Sequence, residues 1–376
     1  MLHPVVNKSY EHQQGAKLLS NIEYVVEFTQ MQRVQDPLLA EVLAAMRTPG
    51  GKQISDEAWR AITAMLFKMD SRSGASQPAD SRVRDARGWY HCAHEWRLVS
   101  YAMHAHARLN AKAAGKVLYY IPCVDLPAIP LTKDDFDKMR EEPNISTTAQ
   151  LPGMLALYVG AKMILTESYL PGYIAGGAPV VVEDIEPHPN EPGGRASIAS
   201  HGCVLLQYMP KCIYVRLQKC TTAFLTPQAG ATQPGDAHLL GVFAVQPVSR
   251  SWLYKRDSAD PPIPVSRTQV PLLAQKQCTL HGVHDKTAEP GLIGHWTFPS
   301  GLSRKSIWLA YYQILSRPTA LKQLLSFGLP RRDIIEGGPP EDITEAFEKF
   351  FRQKIVQTKA ACAKARQEMK WPPRRR

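Results

Sequence analysis

Two short segments hold the residue types in this 376-residue chain that could act on phosphates. TLHGVHDKT, from Thr279 to Thr287, brackets His281, His284, Asp285 and Lys286 between two threonines, and AYYQILSRP, from Ala310 to Pro318, carries Tyr312 and the pair Ser316-Arg317. A guanidinium is a planar fork of donors suited to phosphate oxygens, whereas the carboxylate of Asp285 repels them. Taken alone, AYYQILSR reads as an amphipathic helix with an exposed arginine.

Taken in order, with SRTQVPLL (Ser266 to Leu273) just upstream, the two segments resemble motifs V and VI of superfamily 1 DNA helicases of the Pif/RecD-like and Helitron type. The family's first motif reads Thr-x-His-x-x-Gln-Gly-x-Thr. Thr279, His281 and Thr287 match it, and His284 and Asp285 replace the Gln-Gly pair, where a glycine would allow closer backbone approach. The second motif reads Tyr-Val-Ala-Leu-Ser-Arg; Tyr312, Leu315, Ser316 and Arg317 match, and Gln313 and Ile314 do not. The resemblance implies that Arg317 is an arginine finger aimed at the γ-phosphate of ATP. It also implies that Arg33, in FTQMQRVQDPLLAEVLAAMRTP (Phe28 to Pro49), is the motif IV arginine reaching the same phosphate. On the same basis Thr287, His284, Asp285, Ser316 and Tyr312 couple to nucleotide, and Thr279, His281 and Lys286 contact single-stranded DNA. WYHCAHEWRLVSYAMHAHARLNAKAAGK resembles the strand and helix after motif IV. LPGMLALYVGAKMILTES (Leu151 to Ser168), followed by GYIAGGAPVVVEDIE, resembles the start of the family's inserted SH3-like barrel. The likeness runs from about residue 20 to 350.

A motor of this kind needs a P-loop, Gly-x-x-x-x-Gly-Lys-Ser/Thr, whose backbone donors cradle phosphates. The sequence has none: Gly51-Lys52 is followed by Gln53, and Gly115-Lys116 by Val117. Val180-Val181-Val182, ending in Glu183-Asp184, looks like a Walker B strand but has no P-loop phosphate to serve, and reads as an ordinary strand with a solvated end. The resemblance therefore implies a second RecA-like domain of P-loop NTPase type, interrupted by a small SH3-like β-barrel. ATP and Mg²⁺ are expected only with a complete partner domain, and no cofactor for this chain alone. The implied partners are single-stranded DNA and the missing N-terminal RecA-like domain, from the same gene or in trans.

Composition places the chain among folded intracellular proteins. At 44% hydrophobic it buries a sizeable core and has room for two or three domains. There is no apolar run of ~18 residues, so no membrane partner is expected. MLHPVVNKSYEHQQG lacks the order of a signal peptide and reads as a chain beginning partway into a domain. Seven scattered cysteines without a Cys-x-x-Cys pair read as reduced thiols, with Cys203, Cys212 and Cys220 in strand-like core segments. His91, Cys92, His94, His104 and His106 fit no familiar zinc spacing, so no metal is expected, and the helical periodicity predicts a partly buried helix with surface histidines.

The net charge of +11 is concentrated at one end: nine Lys/Arg and one acid lie between Arg352 and Arg376, leaving +3 for the body. That tail, with Arg374, Arg375 and Arg376 at its end, reads either as a phosphate-binding or nuclear-address segment or as a solvated terminus.

Periodicity and breakers predict helices over Pro37 to Arg47, Ser55 to Lys68, Ala93 to Ala114, Thr132 to Glu141, Leu273 to Gly282, Arg304 to Leu315 and Glu341 to Lys354, with a long loop from Asp70 to Gly88. Short apolar runs between Gly and Pro predict strands from Leu151 to Pro264, and one more strand near Leu292 to Phe298. The division this gives is 1–120 for the first part of an α/β domain, 121–150 for a linker and 151–264 for a β-rich insert. The rest of the α/β domain follows at 265–351 and a basic tail at 352–376. Three functions fit: the C-terminal half of a helicase motor, inactive as an ATPase alone; a nucleic-acid-binding protein descended from a degenerate helicase or mobile element; or a non-catalytic interaction protein with a basic targeting tail.

Overall fold

A computed structural model describes residues 21–26, 33–66, 86, 88–169, 173–192, 202–218, 220, 240–256, 260–284 and 286–368. Asp285, Arg374, Arg375, Arg376 and nearly all of the expected loop from Asp70 to Gly88 lie outside these residues. The first described elements are α1 (Pro37–Arg47), α2 (Asp56–Ala64), β1 (Tyr90–Ala93), α3 (Trp96–Ala113), β2 (Leu118–Pro122), β3 (Val124–Pro127) and α4 (Lys133–Glu141). Strands then dominate: β4 (Met154–Leu157), β5 (Lys162–Leu165), β6 (Pro179–Glu186), β7 (Cys203–Leu205), β8 (Cys212–Leu217), β9 (Val242–Val245), β10 (Val248–Tyr254), β11 (Ile263–Gln269), β12 (Leu272–Ala274) and β13 (Gln277–Thr279). Last come β14 (Leu292–His295), α5 (Arg304–Leu315), β15 (Leu324–Phe327), α6 (Arg332–Glu336), α7 (Glu341–Phe347) and α8 (Gln353–Glu368). The chain is mixed α/β and divides into two units, residues 1–70 with 285–376, and residues 71–284.

The first unit is built on β14–α5–β15, two parallel strands joined through a helix, with register Leu292↔Leu324 to His295↔Phe327. Parallel neighbours require such a crossover because a tight hairpin can only join antiparallel strands. Leu66 extends the pairing, bridging Ser326 in parallel. Gly294 lets α5 lie close on β14, since a Cβ there would stand 2.9 Å from Ile314 Cγ2. Asp36 starts α1: its carboxylate accepts from Leu38 N and Leu39 N, and Pro37 occupies the first turn. Leu39, Val42, Leu43, Ala45 and Met46 then bury one face completely. The C-terminal segment is helical well past Lys354, through a π turn over Glu348–Arg352 and on to Glu368. It is anchored by Thr358, whose hydroxyl accepts from Val25 N at 2.8 Å.

The second unit holds a parallel pair, β1 with β13 (His91↔Gln277, Cys92↔Cys278, Ala93↔Thr279). It also holds an antiparallel five-stranded sheet ordered β12-β5-β6-β8-β9 and two three-stranded sheets, β10-β11-β3 and β4-β2-β7. Alternation along β6 turns Val180, Val182 and Ile185 into a core shared with Met163, Leu165, Ile213, Val215 and Val245. Arg267 is fully buried, its guanidinium bonded in bidentate fashion to Asp125 (2.8 Å to each oxygen) and to the carbonyl of Met139, with the Trp252 ring 4.8 Å beneath.

Several expectations need correction. Leu273 to Gly282 is not a helix; it comprises β12, β13 and a single 3-10 turn over Leu280–Val283, because its apolar residues serve period-two strands rather than a helical face. Residues 121–150 are no linker: β3 pairs with β11, and α4 starts in a capping box at Thr132 and buries Met139. Residues 151–264 do not stand alone, since β4 pairs with β2 and β12 with β5, so residues 71–120 and 265–284 cluster with the β-rich segment. Cys203 is exposed and Cys220 half-buried, whereas Cys212 is buried. No described helix is long and apolar enough to cross a membrane.

Candidate nucleotide and nucleic-acid interface

In the first unit the site grows from the C-terminus of α5. Ser303 starts that helix, its hydroxyl accepting from Ser306 N, and Pro318, which has no N–H to donate, follows where it ends. Ser316 is the capping residue and is buried. Arg317, half-buried, folds back on it: Nε and Nη2 donate to Ser316 Oγ at 3.2 and 2.9 Å, and Nη1 donates to the carbonyl of Lys286 at 3.4 Å. Ala288 N returns a bond to the Arg317 carbonyl at 3.1 Å, so Lys286 and Thr287 run beside Ser316 and Arg317. Arg33 arrives from the other end of the sequence and donates from Nη1 to the Ser316 carbonyl at 3.3 Å. Among the described residues it has no carboxylate partner.

The structure therefore brings together Arg33, Lys286, Thr287, Ser316 and Arg317. Tyr312 lies one turn earlier on α5 with its hydroxyl engaged, accepting from Arg47 Nε at 2.7 Å while Trp308 stacks on its ring. Arg47 belongs to none of the sequence motifs, although its place in the last turn of α1 is legible from the helical periodicity.

In the second unit Thr279 is the last residue of β13 and half-buried, and His281, on the 3-10 turn that follows, and His284, which caps that turn, are exposed. That turn folds back tightly, with His284 N bonded to the His281 carbonyl at 3.2 Å. Gly282 is required there, since a Cβ would stand 2.7 Å from Cys278 Cβ. Ligands of parallel sheets collect at the carboxyl ends of strands, where Thr279 sits.

The remaining sequence candidates resolve into structure. Glu183 pairs with Arg216 at 2.6 Å, and the Asp184 carboxylate accepts from Ile185 N, so the Walker B lookalike is a strand carrying a bulge between Val182 and Asp184. His106 is buried rather than on the surface; its Nε2 lies 3.1 Å from His91 Nδ1, and burial lowers its pKa. No group of three metal-ligating side chains occurs among the described residues.

No family model and no curated protein matches the chain. Among solved structures it is similar to the Pif1 helicase from Candida albicans, with 14% identity and a TM-score of 0.48, covering 85% of this chain and 59% of that one. It is also similar to Bacteroides Pif1 bound to ssDNA, with 16% identity, a TM-score of 0.49 and coverage of 94% and 65%. A Pif1 helicase from Bacteroides in complex with ADP-AlF3 and ssDNA gives 17%, 0.49, 94% and 65%. The chain thus spans 59% to 65% of the length of these structures.

Proposed function

We propose that this chain supplies the second RecA-like half of a superfamily 1 DNA helicase motor, with the β-rich segment 151–264 as its SH3-like insert. Arg33 and Arg317 are its contribution to ATP hydrolysis, and Thr279, His281 and Lys286 its contacts to single-stranded DNA. The observation that supports this reading is that two arginines 283 and 1 positions from Ser316 are both bonded to it. Paired guanidinium groups fit the γ-phosphate side of a nucleotide, where they would stabilise charge developing on the transferred group. The other side, a P-loop cradle, has no counterpart in the sequence, so ATP and Mg²⁺ would be held jointly with a P-loop domain. The test is phosphate release by the purified chain with Mg-ATP and single-stranded DNA. The expected result is a rate no higher than that of Arg317→Ala, with measurable DNA binding; a clear excess over that variant, or no DNA binding, would overturn the reading.

A further inference from the structure

Each other described helix that carries Lys or Arg engages at least one of them in a hydrogen bond or ion pair, whereas α3 engages none among the described residues. In α4, Lys138 pairs with Asp134 at 2.6 Å and Arg140 with Asp137 at 3.7 Å. In α6, Arg332 pairs with Glu336 at 2.8 Å, and on the C-terminal helix Arg352 pairs with Glu348 and Lys364 with Glu368. Lys305 of α5, which contains no acid of its own, pairs with Asp342. The eighteen residues of α3, WRLVSYAMHAHARLNAKA, also contain no acid, yet Arg97, Arg108 and Lys112 are exposed and none makes a side-chain hydrogen bond or ion pair among the described residues. With ~100° per residue they fall, together with Tyr101, inside an arc of about 60°, and at ~1.5 Å per residue the stripe is about 22 Å long. Tyr101 is 75% exposed in its middle.

We propose that this face of α3 is a binding track for single-stranded nucleic acid, separate from the motif V and VI residues. Unpaired cations in a row attract a phosphodiester backbone, and releasing its counterions supplies the affinity. The ring of Tyr101 decides which form: an exposed aromatic among cations is a stacking platform for an unpaired base, which a duplex keeps inside its own stack. The stripe also starts in the right place. β1 ends at Ala93, in register with Thr279, and α3 begins three residues later, so a strand contacting Thr279 and His281 has the track leading away from it within one unit. The inference deepens the DNA-binding part of the proposed function and rests on that reading only for the placement beside Thr279 and His281; the track's own residues, Arg97, Tyr101, Arg108 and Lys112, are not among those the function was built on.

The experiment is a fluorescence-anisotropy titration of labelled oligodeoxythymidine with the full chain over a salt series. It is run beside the triple variant Arg97→Gln/Arg108→Gln/Lys112→Gln, Tyr101→Ala, Tyr101→Phe, and Thr279→Ala/His281→Ala, with circular dichroism confirming the fold of each. The triple variant is expected to flatten the slope of log affinity against log salt by about 2, at ~0.7 per contact. Tyr101→Ala is expected to weaken binding about fivefold or more, as loss of one base–aromatic stack does, with Tyr101→Phe unaffected. A duplex of mixed sequence should show no loss with Tyr101→Ala. An unchanged slope in the folded triple variant overturns the proposal, as does indifference to Tyr101→Ala, which would leave only nonspecific polyanion attraction. Loss of affinity in Thr279→Ala/His281→Ala with the triple variant unaffected would preserve the motif reading and reject the track. The opposite pattern would preserve the track and reject the motif contacts.

Discussion

Arg33 and Arg317 are held by one residue: Arg33 donates to the carbonyl of Ser316, and Arg317 donates twice to its hydroxyl. The meeting is enforced by the backbone on either side. Gln35 N bonds the Thr319 carbonyl at 3.0 Å, and the Asp36 carboxylate that starts α1 also accepts from Leu321 N at 2.9 Å. A single aspartate thus begins a helix and fixes the segment bearing one arginine along the segment bearing the other.

Ser316→Ala removes the acceptor for two guanidinium N–H groups and leaves the backbone contact to Arg33 in place. Hydrogen bonds to charged groups contribute about 1.5–3 kcal/mol where buried, and Arg317 is half-buried, so a loss of about 1–2 kcal/mol is expected in a denaturant titration. An unchanged midpoint would mean that Arg317 is positioned by other partners.

Gly294→Ala places a methyl 2.9 Å from Ile314 Cγ2, between β14 and the helix that ends in the arginine site. Overpacking of this kind costs about 1–3 kcal/mol. In an Ile314→Ala background, which removes Cγ2, Gly294→Ala is expected to cost less than in the parent chain; an equal cost would place the strain elsewhere.

His295 sits on β14 against Phe327 of β15, ring centroids 4.8 Å apart, and burial pushes its pKa down from 6.5 to about 4. The folded state therefore binds its proton less readily than the unfolded state, and stability rises with pH between those two values. Acidifying from pH 7 to 4 is expected to cost up to about 3 kcal/mol through this residue, at ~1.36 kcal/mol per pH unit. His295→Phe should flatten that part of the stability–pH curve; a curve parallel to that of the parent chain would exclude His295 as its source.

Arg267 and Asp125 form a pair 0% and 4% exposed in the second unit. Arg267→Met leaves a buried carboxylate without its partner, an expected loss of about 3–5 kcal/mol. Removing both charges, with Arg267→Met/Asp125→Leu, is expected to restore most of the stability. If the double variant is as unstable as the single one, the bonds from Arg267 to the Leu151 and Met139 carbonyls matter more than the ion pair.

Local signals determined most of the elements. Asp36-Pro37, Thr132 with Asp135, and Ser303 before an apolar repeat each start a helix where the residues alone say one should begin, because caps and first turns are satisfied within a few residues. The apolar alternation of Pro179–Glu186 and Cys212–Leu217 likewise made strands legible, since one face of each had to be buried. The motif pair was visible too, as residue types in order. Sequence could not reveal partners. Leu273 to Gly282 has enough apolar residues to suit a helix, and only pairing with β5 and β1 makes most of it two strands. Residues 121–150 are rich in proline and charge, the composition of a linker, and their order comes from long-range bonds such as Arg267 to Asp125 and Arg256 to Asp135. Nothing in the sequence marks Arg97, Arg108 and Lys112 of α3, and it is the fold that leaves them without a carboxylate partner among the described residues. Helix caps and strand alternation are short-range and written in neighbouring residues, whereas the pairings of β1 with β13, β3 with β11 and β5 with β12, and the bonds of Arg267 and Arg33, join residues more than a hundred positions apart.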